Sequence, residues 1–329
     1  MNNTRGVALI TVMLLVALAA VIATQMLARI QLQTQRTTNI AFNQQAYWYA
    51  MGAEAFAKRV LVTAFTGEPN ITNLEQIWAQ GETSYPVDFG QITGEISDQQ
   101  ACFNLNALHN EPNTSSAPVT KSAAREAFER LIITLDIEDI GSSDYEAERL
   151  SGALTDWLDS DSSLSSAGGA EDNDYAGKEH PYLPANNYLA SVNELRVIEH
   201  FTLNVINAIK PFVCVLPNTD LHQININTLS AEQPQLLQAL LNITQLDAEQ
   251  LLSERADEGF QKTEDFFNSP EAIALNIKKK LKDQFVVDSE YFKLKTSTSF
   301  NSSYFAMNSL LKVVNNKRIL VISRTIGRN

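Results

Sequence analysis

The chain is poor in the residues that build most reaction centres. Its 329 residues include four histidines, His109, His180, His200 and His222, which are scattered and form no His-x-x-x-His metal pair. The two cysteines, Cys102 and Cys214, fall short of the three or four closely spaced ligands a structural zinc site requires. No Gly-x-Ser-x-Gly elbow or phosphate loop is present. The expectation is a protein that is not an enzyme. Positive charge is also scarce. There are 25 Lys and Arg against 38 Asp and Glu, for a net charge of −13. Phosphate backbones are gripped by clustered cations, so nucleic acid is not an expected partner.

One long stretch lacks charge of either sign. Nothing ionisable occurs between Gly6 and Arg29. The apolar run from Val7 to Ala28, about 22 residues, spans about 33 Å as a helix, enough to cross a bilayer. Arg5 marks the leader as the cytoplasmic side. That orientation puts the rest of the chain outside the cytoplasm, where Cys102 and Cys214 either join in an oxidising compartment or stay as two buried thiols. A secretory signal peptide would be cut after its apolar core. Here glycine precedes the core, so removal of the leader leaves the membrane helix in place. Arg5-Gly6 before this helix resembles the leader of type IV pilins and pseudopilins. The resemblance implies cleavage after Gly6 by the prepilin peptidase, with Val7 as the new N-terminus. Most members carry Glu at the fifth mature position. Here it is Thr11, a departure that resembles the K-type minor pseudopilins of type II secretion.

From Arg29 the pattern turns amphipathic. Ala46, Ala50, Ala53, Ala57 and Val60 recur at helical spacing, which predicts one helix from the membrane to about Thr63. Short strands are expected on either side of Gly90, at 85–89 and 91–96, and Cys102–Leu108 alternates with period two. The apolar-Asn-apolar-Asn-small-Leu pattern of 103–108 is echoed by 224–229, and its asparagines are expected to be structural. Helices are predicted over 121–133, 145–158, 234–241, 247–255, 263–268 and 270–281. Ser191-Val192-Asn193-Glu194 forms a capping box ahead of a further helical turn. Period two returns over 291–300 and 304–314, with a turn at Asn315-Asn316 leading into 318–326. The fold class is therefore α+β. A long N-terminal membrane and pilin helix is followed by an antiparallel, pilin-like sheet interrupted by a large α-helical insertion. The expected divisions are a leader (1–6), a membrane and assembly helix (7–28), the pilin helix with the first strands (29–108), the insertion (109–285) and the closing strands (286–329).

That layout, with the stretches 102–108, 156–159, 169–172, 190–196 and 224–229 in order, is similar to the general secretion pathway protein K family over nearly the whole length. The resemblance implies a minor pseudopilin at the tip of the type II secretion pseudopilus. Its implied partners are the I- and J-type minor pseudopilins, the major pseudopilin and the prepilin peptidase. It also implies an inner-membrane anchor and a soluble part in the periplasm. A type IV minor pilin and a membrane-anchored DNA-binding protein of competence type are the alternatives. Residues 225–268 resemble a helix-hairpin-helix module of the SAM-like kind. The hairpin Leu240–Thr244 lacks the glycine that would admit a phosphate, and its surroundings are acidic.

Acidic residues crowd 156–179: Asp156, Asp159, Asp161, Glu171, Asp172, Asp174 and Glu179 flank a Ser/Gly-rich loop. Hard oxygen ligands on a pliable loop suit Ca²⁺. The EF-hand template fails, with Leu164 where its glycine should be and Leu183 where its final Glu should be. From the residues alone, a solvated acidic loop is the other reading. The family resemblance implies calcium in this loop, and Asp159, Asp161, Glu171, Asp172 and Asp174 are the ligands expected from it.

Overall fold

The computed structural model describes residues 5–109, 121–301, 303–315 and 318–327. Most of the leader, Met1–Thr4, and Asn316 of the expected turn lie outside the described residues. The first helix, α1 (Arg5–Gly67), is unbroken over 63 residues. At 1.5 Å per residue it is about 95 Å long. Between Gly6 and Gly52 no glycine or proline interrupts it, and among the described residues it is the one helix long and apolar enough to span a membrane. Its first half is exposed. From Ala46 it packs on a sheet, and Ala46, Ala50 and Ala57 are small enough to bring the two backbones together.

That sheet is formed by β1 (Thr83–Val87), β2 (Gly90–Asp98), and three strands near the C-terminus, each antiparallel to its neighbours. Between β2 and those strands lie β3 (Phe103–Asn104), α2 (Ala123–Thr134), α3 (Asp144–Leu158), α4 (Asp172–Ala176), α5 (Leu203–Ile209) and β4 (Val213–Cys214). They are followed by β5 (Ile224–Asn225), α6 (Gln235–Leu241), α7 (Gln245–Ser253), α8 (Thr263–Phe267), α9 (Pro270–Ala274), α10 (Lys279–Lys282) and β6 (Phe285–Val286). The sheet then closes with β7 (Tyr291–Phe300), β8 (Ser303–Val314) and β9 (Arg318–Ile326), in the order β1-β2-β7-β8-β9. Alternation along β7 turns Phe292 and Leu294 toward α1, where Phe65 and Trp78 meet Phe292 edge-to-face at 5.6 and 5.1 Å.

The helix is also clasped to the sheet electrostatically. The Glu54 carboxylate is 1 % exposed. It accepts from Ser309 Oγ at 2.8 Å and from Arg324 Nε and Nη2 at 2.7 and 3.0 Å. Burial alone would raise the Glu54 carboxyl, but the Arg324 and Ser309 hydrogen bonds carry it below its ordinary value. Arg324→Met would leave the buried carboxylate with only the Ser309 hydroxyl and the Lys58 ammonium, 3.5 Å away. We expect a loss of about 2 kcal/mol, below the full cost of breaking a buried pair because the guanidinium is partly exposed. A chemical denaturation midpoint measures it.

The insertion leaves the sheet after Asp98 and returns at Tyr291 on the adjacent strand, with Asp98 paired to Phe292. It has two halves built on the same local device. Phe103–Asn104 pairs in parallel with Val213–Cys214, and Ile224–Asn225 pairs in parallel with Phe285–Val286. In each half the first asparagine accepts from the backbone N–H two residues on: Asn106 to Asn104 Oδ1 at 3.2 Å, Asn227 to Asn225 Oδ1 at 2.9 Å. The second asparagine clasps a distant loop through both backbone groups of one residue. Asn106 accepts from Leu189 N–H (2.8 Å) and donates to its carbonyl (3.0 Å) and to that of Leu216 (2.9 Å). Asn227 does the same with Phe260 N–H (2.7 Å) and its carbonyl (3.0 Å), reaching Val287 O at 3.4 Å. Both side chains are buried. Asn227→Ala would leave buried backbone groups unpaired, and we expect a loss of about 1–3 kcal/mol in a thermal or urea melt.

Two expectations are corrected. Cys102–Leu108 is not a full strand. After Asn104 it turns into a short 3-10 helix over Leu105–Leu108, because the Asn104 side chain caps the N–H of Asn106. The helix expected over 270–281 breaks into α9 and α10, since Asn276 takes a left-handed conformation (φ 48°).

Candidate metal centre

The acidic loop begins where α3 ends. Asp156, fully buried on the last turn of that helix, folds the loop back on itself: Oδ1 accepts from Ser165 N–H at 2.8 Å and Oδ2 from Ala170 N–H at 2.9 Å. The close approach requires Gly169, where a Cβ would run into the Asp156 carboxylate. Asp156 is thus an anchor for the loop, a role its place in the acidic run did not reveal.

The fold-back brings three of the five expected ligands together. One carboxylate oxygen each from Asp159, Asp161 and Glu171 lies within 4.8 Å of the others. Asp172 and Asp174 stand outside this group. They occupy the first turn of α4, where Asp174 Oδ2 accepts from Glu171 N–H at 2.9 Å and so caps the helix. Asp174 acts locally because its side chain turns back on its own turn.

The three gathered carboxylates are poorly satisfied by protein. Asp159 Oδ1 and both Glu171 carboxylate oxygens are buried without a hydrogen-bond partner among the described residues. Asp161 Oδ1 accepts from Ser163 N–H at 2.8 Å. Burial, then the Asp161 and Asp156 charges, pushes the Asp159 carboxyl up to about 7. Burial, then Asp156, Asp159, Asp172 and Asp161, raises Glu171 to about 7 as well. Buried acceptor oxygens left without donors, and facing like charges, are the environment a cation relieves. Calcium takes oxygens at about 2.3–2.6 Å, so two ligands across one ion are about 5 Å apart, and the 4.8 Å spread fits it. When bound, calcium would offset two of the three carboxylate charges and hold the loop against the end of α3.

One further residue belongs to this neighbourhood. Asn186 Nδ2 donates to the Asp161 carbonyl at 3.4 Å, while Asn186 Oδ1 is buried with no partner among the described residues. Its signal in the sequence was slight: an Asn-Asn pair after Pro184, the first Asn in a left-handed conformation (φ 44°). A floor of Trp157, Tyr175 and Tyr182, with ring centroids 5.3–6.4 Å apart, carries the loop.

The remaining singled-out residues lie elsewhere. Cys102 and Cys214 are disulfide-bonded, with Cα atoms 5.8 Å apart, and fasten the chain beside the β3–β4 pair. Thr11, in the exposed half of α1, donates from Oγ1 to the Ala8 carbonyl at 2.9 Å and needs no other partner. Val7 lies near the start of the same helix, after Gly6. In the helix-hairpin-helix region, Asn242 supplies the left-handed turn (φ 54°) that glycine would otherwise give, and Thr244 and Asp247 cap the N-terminus of α7. In the lysine-rich stretch 278–282, Lys280 pairs with Glu126 at 3.2 Å and Lys282 sits over the Phe267 ring at 4.8 Å.

Residues 101–218 and 224–288 match two family models, both described as type II secretion system protein K. The boundary between them falls between the two asparagine-clasped halves. The chain is 38% identical to the type II secretion system protein K of Aeromonas hydrophila over 268 residues, 78% of this chain and 77% of that one. It is 36% identical to the protein of the same name from Klebsiella pneumoniae, covering 94% and 93% of the two chains. In structure it is similar to a chain from the GspK-GspI-GspJ complex of enterotoxigenic Escherichia coli, with a TM-score of 0.79, 34% identity, and coverage of 89% of this chain and all of that one. An unbroken N-terminal helix on an antiparallel sheet, a two-part helical insertion, and these matches across both parts have one account: the chain belongs to the type II secretion system protein K family.

Proposed function

We propose that this minor pseudopilin of the type II secretion system stands at the tip of the pseudopilus, where it initiates or caps the filament that exports folded proteins. In this reading α1 anchors the chain in the bacterial inner membrane by a single span, and the sheet and insertion lie in the periplasm. The prepilin peptidase removes the leader after Gly6, and the chain then assembles with I- and J-type minor pseudopilins and, below them, the major pseudopilin. The solved relative comes from a complex of GspK with GspI and GspJ, which supports those partners. The role assigned is structural, with calcium bound by Asp159, Asp161 and Glu171 fixing the insertion.

Thr11 carries the tip assignment. In pilin-like helices a Glu at this position is understood to neutralise the amine of the subunit ahead. A charge at mid-bilayer costs about 2.5–3.5 kcal/mol on insertion scales, so it is retained only where it has a partner. Thr11 closes its hydroxyl on Ala8 within its own helix and has no such requirement. A subunit with nothing ahead of it suits that side chain. Thr11→Glu should leave membrane insertion and cleavage intact but shift the subunit's place in the filament, read by immunogold labelling of pseudopilus ends. Unchanged end-labelling would remove Thr11 as the position-setting residue. Co-purification of the processed chain with I- and J-type pseudopilins tests the partner assignment, and absence of a complex at micromolar concentration would overturn it.

A further inference from the structure

The sheet face turned away from α1 carries a second feature. Lys293 and Lys295 project from this face, since their neighbours Phe292 and Leu294 face the helix. The register places Lys293, Leu310 and Ser323 in one row across β7, β8 and β9, and Lys295, Asn308 and Thr325 in the next. The insertion overhangs these rows with residues 190–196 and 210–217, enclosing a cleft of about 450 Å³.

The charge in the cleft runs against that of the whole chain. In a protein of net charge −13, Arg196, Lys210 and Lys293 line the cleft and, among the described residues, no carboxylate does. The acidic groups nearby are already used. Glu194 accepts from the Ala190 and Ser191 N–H groups at 2.8 and 2.9 Å, and Glu95 pairs with Lys295 at 3.2 Å. Lys293 is half-buried, and its ammonium makes no ion pair or side-chain hydrogen bond among the described residues. Burial and the Lys295 and Lys210 charges hold it below the usual lysine range. A half-buried cation beside two like charges gains from any anion that enters.

We propose that this cleft is a docking site for an extended acidic peptide segment of a partner protein, its carboxylates received by Lys293, Lys210 and Arg196. Two observations favour a peptide over a polyanion. The chain's net charge of −13 repels long anionic polymers, while three cations gathered in one cleft admit a few carboxylates. In addition, β9 is an edge strand, and its Ser323 and Thr325 line the cleft, so its outward N–H and C=O groups are available to an extended chain.

The test uses the full chain in detergent micelles at fixed free calcium, titrated with an acetylated, amidated pentaglutamate while the lysine side-chain amines are followed by NMR. Pentaglutamate should bind in the millimolar range or tighter and shift the Lys293 signal, with affinity falling as salt rises. The pentaglutamine analogue should bind about tenfold more weakly or not at all, and Lys293→Met should cost pentaglutamate about tenfold. Lys210→Gln, on an exposed side chain that folding does not need, should weaken binding several-fold. The proposal is overturned if pentaglutamate fails to bind at millimolar concentration or if Lys210→Gln binds it as well as the wild type. It is also overturned if inorganic phosphate displaces it at equal concentration, which would make the cleft a simple anion site.

Discussion

Calcium is expected to raise the melting temperature of this protein, and a chelator to lower it. At a hundredfold excess over the dissociation constant the gain is about 2.7 kcal/mol, which corresponds to a shift on the order of 5–10 °C. The effect should depend on the three gathered carboxylates. Glu171→Gln should remove most of it, whereas Asp174→Asn, which leaves a side chain able to cap the helix, should remove little. The pH dependence without metal follows from the raised carboxyls of Asp159 and Glu171, both near 7 against ordinary values of 3.8 and 4.5. Between those ordinary values and 7, the folded state holds more protons than the unfolded one. Stability therefore falls as pH rises through that window. The chelated protein should melt higher at about pH 5 than at pH 7.5, and saturating calcium should abolish or reverse that order, because the ion binds the deprotonated form. A chelated protein whose melt is unchanged by calcium would refute the site.

The second large effect belongs to the disulfide. Cys102 and Cys214 are 112 residues apart. In the chain-entropy model a closed loop of about 100 residues is worth about 4.7 kcal/mol, an upper figure because real unfolded chains retain structure. The doubly substituted Cys102→Ser, Cys214→Ser chain should melt on the order of 10 °C lower. The loss should fall first on the insertion, since the bond lies beside the β3–β4 pair inside it. Hydrogen exchange should show earlier opening of α2 and α3, while β7 and β8, closed by the Glu54 clasp and the aromatic contacts, keep their protection.

Periodicity revealed most of this architecture because most of its segments are amphipathic. The run from Val7, the small residues from Ala46 to Ala57, and the alternation of 291–300 each specify an element by the face they bury. What stayed hidden depends on single side chains acting on backbone. Asn104 converts an alternating run into a turn of 3-10 helix, and Asn276 ends a helix that composition alone would continue. At the candidate site, proximity along the chain drew attention to seven acidic residues and the family resemblance to five of them, but neither could separate a cap from a ligand. Asp174 and Glu171 are three residues apart and do opposite things: one satisfies a helix end, the other is left without a donor. Asn186, contributed from beyond the loop, has no spacing rule to announce it.

The route by which the insertion joins the sheet has a mechanical consequence. Because the chain departs after Asp98 and re-enters at Tyr291, directly alongside, the two ends of the insertion are held together by one strand pair. Tension along α1 passes into β7, β8 and β9 through side-chain contacts and the Glu54–Arg324 clasp. The insertion is tied to the segment after α1 at its base, where Asn73 Nδ2 donates to the Glu258 carbonyl at 3.0 Å and Asn225 Nδ2 to the Thr72 carbonyl at 3.1 Å. The sheet can therefore be pushed or pulled through the helix while the insertion, with its carboxylate cluster, follows as a side branch held at its base.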